Sequence, residues 1–187
     1  MPRSATDEHY EGCGWVVGTD RKGADVSALW PEPTTVTELT EQVRARRAEW
    51  EAVLARVPRE RLTEPGLPGG WSVKDVLAHM TWGMHEGIGV MRAKRLVGSE
   101  LWKLDDDGRN AIVVEQSRAR SLDAILADYE KTSAEYFSEL AALTDEHLND
   151  PALWAEMPPD WRPWRILHDP KHYEHHARDL REWLKWS

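Results

Sequence analysis

From Thr34 onward, apolar residues recur at three- and four-residue steps: Val36, Leu39, Val43, Trp50, Val53, Leu54 and Val57. That period places them on one face of a helix. Thr34 or Thr35 can cap its start, Glu38 falls in the first turn near the positive end of the helix dipole, and Pro58 stops it. The stretch from Arg59 to Gly70 carries Pro65, Gly66, Pro68, Gly69 and Gly70 and reads as a loop. A second helix follows. Ser72 is its N-cap, and Asp75, three residues on, closes a capping box with Asp in place of Glu. Trp71, just before the cap, is placed to staple the first turn. Val73, Val76, Leu77, Met80, Met84, Ile88 and Met91 form the apolar face, and the pattern runs to near Gly98. Gly83, Gly87 and Gly89 each weaken this helix by roughly 1 kcal/mol relative to alanine. Small residues there also let another backbone or a ligand come close.

The Asp105-Asp106-Asp107-Gly108 run reads as a turn, and Arg109 to about Arg118 as a short helix. Ser121 recaps. Leu122, Ile125, Leu126, Tyr129, Tyr136, Phe137 and Leu140 then repeat helically to about Leu143, forming a third helix that is either separate from the short piece or continuous with it and bent near Ser121. Leu148 to Asp169 is loop-like, with Pro151, Pro158, Pro159 and Pro163, yet its Trp154, Trp161 and Trp164 must pack on the body. Asp169-Pro170 starts a fourth helix, with Asp as N-cap and Pro at the first helical position. Its apolar face is Tyr173, Ala177, Leu180, Trp183 and Leu184. No strand pattern competes, so the expected fold is all-α. Residues 1–33 show no sustained periodicity and hold several Gly and Pro; they are expected to form an N-terminal extension, partly irregular, that packs locally through Trp15, Val16, Val17 and Trp30. Residues 34–187 form the domain.

Composition narrows the function. A chain of 187 residues suits one domain with a sizeable core. Its net charge of −9 argues against a phosphate-binding face. The densest basic cluster, Arg44, Arg46 and Arg47, is flanked by Glu41, Glu49 and Glu51 and reads as a solvated helix face. With Cys13 as the single cysteine, no intrachain disulfide forms, and a Cys–His catalytic pair is a minor option. No apolar run approaches the ~20 residues that span a bilayer, and the polar, acidic N-terminus is unlike a signal peptide. The expected location is therefore cytoplasmic, with neither nucleic acid nor membrane as partner. Eleven tryptophans against one phenylalanine supply large apolar rings, each with an N–H that wants a partner, for core or pocket.

The main chemical signal is histidine. Four of the eight histidines fall between His168 and His176. His172 and His176 are four apart, so on a helix their imidazoles lie about 40° apart around the axis and ~6 Å apart along it. Two imidazoles so placed can share a metal ion. His79, on the edge of the second helix's apolar face, is the best third ligand. Asp75, Trp82 and Glu86 share its stripe, and Glu86 could be a further ligand, a general base or a supporting group. His175 points toward Asp179 and solvent. His9, His85 and His147 read as surface residues, and His168 as a loop hydrogen-bonder. Each of the three chosen histidines could equally be a hydrogen-bonded structural residue.

The run Gly70-Trp71-Ser72-Val73-Lys74-Asp75-Val76-Leu77-Ala78-His79-Met80, followed by Trp82, resembles the helix-two signature of the DinB-like superfamily. Arg109-Asn110-Ala111 through Leu143 and Asp145-Glu146-His147-Leu148 look like its third helix and the following turn. His172-Tyr173-Glu174-His175-His176 through Leu184 resembles the last helix of the ClbS/DfsB-like branch. The resemblance implies an up-down-down-up four-helix bundle, often a homodimer. It also implies a divalent ion held by one histidine of helix two and an H-x-x-x-H pair of the last helix, here His79, His172 and His176. Three neutral imidazoles suit Zn, Ni, Fe or Cu, and Zn, Ni and Fe are the ions to test. The expected function is a metal-dependent enzyme acting on a small electrophilic molecule, as a hydrolase or as a transferase using a low-molecular-weight thiol, in detoxification or stress. Glu86 would be the catalytic proton carrier, and Trp82, Trp161 and Trp164 the pocket wall. The alternative is a metal-free, ClbS/DfsB-like resistance hydrolase or a small-molecule-binding bundle.

Overall fold

The computed structural model describes residues 31–96, 99–157, 159, 162–167 and 170–185. The expectations for the N-terminal extension, Cys13, His9, Trp161, His168 and Asp169 lie outside the described residues. Among those described, the elements are all helical: α1 (Val36–Leu54), α2 (Val73–Ala93), α3 (Asp106–Arg118), α4 (Leu122–Ala141), α5 (Asp145–Asn149), α6 (Pro163–Leu167) and α7 (Pro170–Trp183), with short 3-10 turns between them. None of these helices is long and apolar enough to cross a membrane.

The caps follow the sequence signals. Thr35 accepts the N–H of Glu38, whose carboxylate takes the N–H of Thr35 in return. Ser72 and Asp75 make the same reciprocal pair at the start of α2, with the Ser72 N–H donating to Asp75 at 2.8 Å. Such a box satisfies two of the orphan donors of a helix start.

The bundle is α1, α2, α4 and α7. Paired residues fix its directions. Moving along α2 from His85 to Arg92, the partners on α4 advance from Asp128 and Thr132 to Glu135 and Glu139, so α2 and α4 run parallel. Arg44 lies over Phe137 and Arg47 over Tyr129, so α1 opposes α4. His79 meets His176 while Gly83 faces His172, so α7 opposes α2. That is the up-down-down-up order. Two parallel neighbours cannot be joined by a tight turn, and α3 lies in the long crossover between them, packed on α2. The core runs through all four helices, with Leu39, Trp50, Val73, Leu77, Met91, Ile125, Tyr129, Leu140 and Leu180 nearly inaccessible.

Four local readings differ from the sequence expectation. Helix α2 ends at Ala93, not near Gly98, because Lys94 turns into the left-handed region (φ 48°) and the chain pairs with Ala155. Ala155 N–H donates to Lys94 (2.8 Å) and Leu96 N–H to Ala155 (2.9 Å), so a tertiary contact overrides the helical pattern. The acidic run is not a turn: Asp105 is the N-cap of α3, accepting the Gly108 N–H at 2.8 Å, and the helix begins at Asp106. The segment from Leu148 onward contains α6 as well as loop. Finally, the arginine cluster is not a wholly solvated face. Arg46 is 4% exposed, and Arg47 reaches beneath α4 to Ser133, Glu130 and the Tyr129 ring.

Candidate metal centre

Helix α2 carries His79 and the opposing α7 carries His172 and His176. The four-residue step on α7 brings both imidazoles to one side, and the antiparallel packing sets His79 against them. Ring centroids are 4.8 Å apart for His79–His172, 5.5 Å for His79–His176 and 4.8 Å for His172–His176. One ring nitrogen from each lies within 4.8 Å of the other two. His79 and His172 approach to 2.8 Å between their Nε2 atoms.

The cluster is dry. His79 is 3% exposed and His176 7%, with His172 half-buried. Burial pushes the His79 imidazole well below its ordinary range, helped by His172, Arg109 and His175. Burial does the same to His176, with His172, His79, His175 and Arg178 adding to it. Both are therefore neutral at neutral pH and offer lone pairs. Among the described residues, Nδ1 of His79 and Nε2 of His176 are buried without a hydrogen-bond partner. An orphaned buried polar atom costs about 1–3 kcal/mol.

Aromatic rings fix the cluster from three sides. Trp71 meets His79 edge-on at 5.4 Å, Trp82 stacks along it at 6.5 Å with 27° between planes, and Trp50 of α1 meets His176 at 6.4 Å. Trp71 also walls an open groove of about 460 Å³ between the Gly69–Gly70 turn, Asp75 and the α3 residues Ala111, Ile112 and Glu115. His175 stands beside the cluster, its ring centroid 5.6 Å from that of His176, with Nε2 3.0 Å from Asp179.

The other expected site residues divide. Trp82 borders the imidazoles. Glu86, two turns beyond His79, is half-buried and accepts the Ser99 N–H at 2.9 Å, which ties the crossover to α2. Trp164 lies on α6, packed against the core with Arg165 over its ring at 5.2 Å; among the described residues it makes no ring contact with the three histidines. Asp75, on the same stripe, is engaged in the Ser72 cap. Sequence reasoning missed Trp50, Trp71 as a site wall, and Arg109. Arg109 is 6% exposed on α3, and its guanidinium stands 5.7 Å from the centre of the Trp82 ring. Its signal was available: it falls four residues before the buried Val113, so a cation occupies a buried-face position.

The donor set fits a divalent ion. Three imidazoles, with His79 and His176 buried and neutral and the His176 Nε2 unpartnered among the described residues, are what such an ion requires. Two nitrogens on one tetrahedral ion with bonds of ~2.0–2.1 Å stand about 3.3 Å apart, so the His79–His172 pair has to open by about half an ångström.

Comparison with known proteins agrees with this architecture. The chain is similar over 82% of its length to an uncharacterised protein from Escherichia coli UTI89, covering 94% of that chain with a TM-score of 0.69 and 16% identity. It is similar over 83% to DfsB, described as a sibling lethal factor precursor, covering 98% of that chain (TM-score 0.69, 14% identity). A protein from Streptococcus pneumoniae is similar over 86% of this chain and 96% of its own (TM-score 0.68, 12% identity). At these identities the likeness concerns the fold. No curated protein sequence matches. Residues 43–181, which include all three histidines, match the family described as the mycothiol maleylpyruvate isomerase N-terminal domain. The chain belongs to that family, within the DinB-like superfamily.

Proposed function

We propose that this protein is a metal-dependent enzyme of the DinB-like type, with His79, His172 and His176 holding one divalent ion and a small electrophilic molecule as substrate. The observation that carries the reading is the convergence of three imidazoles from two opposing helices, with His79 and His176 buried and neutral and the His176 Nε2 unpartnered among the described residues. Bound there, such an ion supplies Lewis acidity, lowering the pKa of water or of a low-molecular-weight thiol and so favouring hydrolysis or thiol transfer. The chain's own residues do the rest. Trp71 and Trp82 exclude water and give the substrate an apolar wall. Glu86, whose carboxylate already receives the Ser99 N–H, is the acid–base group to test on that side. The family's name supports a thiol-linked reaction, and a role in detoxification or stress follows from that chemistry. A cytoplasmic homodimer completes the proposal.

One observation favours a second reading. The 2.8 Å separation of the two Nε2 atoms is also that of a hydrogen bond between one protonated and one unprotonated imidazole nitrogen. A metal-free bundle, acting as a resistance hydrolase or binding a small molecule, would use the pair in that way.

Elemental analysis of the purified, tag-free protein beside His79→Ala and His172→Ala separates the two. About one divalent ion per chain, lost in both variants, is expected. No bound metal after reconstitution with Zn²⁺, Ni²⁺ and Fe²⁺ would sink the metalloenzyme and leave the second reading.

A further inference from the structure

The groove of about 460 Å³ beside Trp71 lies between α3, the start of α2 and the turn that leads into it. That turn shapes the rim. Gly69 and Gly70 both take φ of 73°, a left-handed backbone that glycine adopts without strain, and a Cβ at Gly70 would meet nothing within 4 Å. The rim is therefore bare of side chains. Trp71 follows at once, half-buried, with its carbonyl accepting the N–H groups of Gly66 and Leu67, both at 3.0 Å. Its ring also meets His79 edge-on at 5.4 Å between centroids. The aromatic wall is thus fixed before any ligand arrives. Helix α3 adds Ala111, Ile112 and Val114.

The charged residues of the lining already have partners. Asp75 accepts the N–H and the hydroxyl of Ser72 at 2.8 and 2.7 Å, and Glu115 pairs with Arg118 at 2.7 Å. A charged ligand would lose hydration on entering and find each opposite charge taken. The volume lies within the roughly 300–1,000 Å³ of small-molecule sites, which are mostly apolar and largely pre-formed. We propose that this groove is a binding site for a small, neutral, flat molecule, an aromatic ring system laid against Trp71 between the Gly69–Gly70 rim and α3. Against an aromatic wall, an aromatic ring gains more than its buried area alone supplies. The site needs no metal and goes beyond the reading of the histidine cluster. Because Trp71 touches both, a molecule bound here stands one ring away from His79.

The test is titration of the ¹⁵N-labelled full chain, as purified, with 2-naphthamide, following the backbone amide resonances. Saturable shifts are expected at Gly69, Gly70, Ala111 and Ile112, with 2-naphthoate and 2-naphthylmethylammonium binding about tenfold more weakly or not at all. Ala111 is exposed, so Ala111→Trp fills the groove without touching the core and should weaken 2-naphthamide about tenfold or more. Trp71→Leu removes the aromatic wall and should weaken it about fivefold or more. Thermal melts check that this second variant folds, and Ala111→Trp carries the test without it. His172→Ala separates the groove from the histidine cluster: unchanged binding there is expected whatever metal the protein holds, and a loss would place the ligand at the cluster instead. No saturable binding, shifts confined to residues outside the groove, a charged analogue that binds as tightly as the amide, or an Ala111→Trp protein that binds as wild type does would overturn the proposal.

Discussion

Two faces of α2 treat polar groups in opposite ways. On the face toward α4, polar side chains sit at the rim and find partners. His85, half-exposed, meets Thr132 at 3.1 Å, and Arg92 holds Glu135 at 2.6 Å and Glu139 at 2.8 Å. Between them, Gly87 gives the close approach to Tyr136, whose hydroxyl donates to the Leu167 carbonyl. On the face toward α7 and α3, His79 and Arg109 are buried, and the Nδ1 of His79 has no partner among the described residues. The first face can be understood as packing with a solvated border. The second carries a cost that packing does not explain, and such a cost marks a place where chemistry is expected.

The largest effect should come from breaking the costly face. His172→Ala is expected to abolish tight binding of Zn²⁺, since two imidazoles from different helices do not complete the set. The wild-type protein should gain about 2.7 kcal/mol of stability at free Zn²⁺ one hundred times its Kd, and the variant none. Denaturant unfolding with and without Zn²⁺ measures both. An equal gain in wild type and variant would place the ion elsewhere.

Acid is the next lever. His79 and His176 are held neutral by burial in the folded chain, whereas in the unfolded chain they titrate near their ordinary value of 6.5. Below that pH the unfolded chain binds more protons, so the folded state loses stability as pH falls from about 6.5, by at most about 2.7 kcal/mol per pH unit for two groups. Above that pH the contribution is constant. Urea midpoints of the metal-free protein between pH 7.5 and pH 5.5 would show it, and the slope should shrink in a His79→Gln variant. A flat profile would mean that the imidazoles titrate in the folded chain as they do in the unfolded one.

The packed face predicts a smaller change. A Cβ at Gly87 would stand 2.8 Å from the Tyr136 ring, closer than real contacts allow. Gly87→Ala should therefore destabilise by about 1–3 kcal/mol despite the better helix propensity of alanine, because the ring is pinned at its hydroxyl end. Thermal unfolding is the check, and a stabilised variant would show that Tyr136 yields freely.

Much of this was legible in the sequence because the signals were local. The Ser72–Asp75 box, the apolar period of α2 and α4, and the four-residue step from His172 to His176 each depend on neighbours in the chain. The failures were long-range. Nothing near Ala93 announces that Ala155, some sixty residues on, will capture Lys94 and Leu96 and end the helix. Arg46 and Arg47 look like surface charge until α4 is laid over them. Glu86 was placed on the correct stripe, but its bond to Ser99 depends on how the crossover returns. Arg109 went unread as a buried residue because an arginine four positions before a buried valine is a weak signal until a second helix is known to cover it.

The gentlest test uses a glycine that the two faces leave alone. Gly89 is exposed, and a Cβ there would meet nothing within 4 Å. It lies well inside α2, where glycine costs backbone entropy without providing any contact. Gly89→Ala should therefore stabilise the fold by about 0.5–1 kcal/mol, read as a higher thermal midpoint, with Zn²⁺ stoichiometry unchanged. Set beside Gly87→Ala, two residues away on the same helix, the pair separates propensity from packing. If both variants lost stability, the helix rather than Tyr136 would be the strained element, and the contrast between the faces of α2 would have to be redrawn.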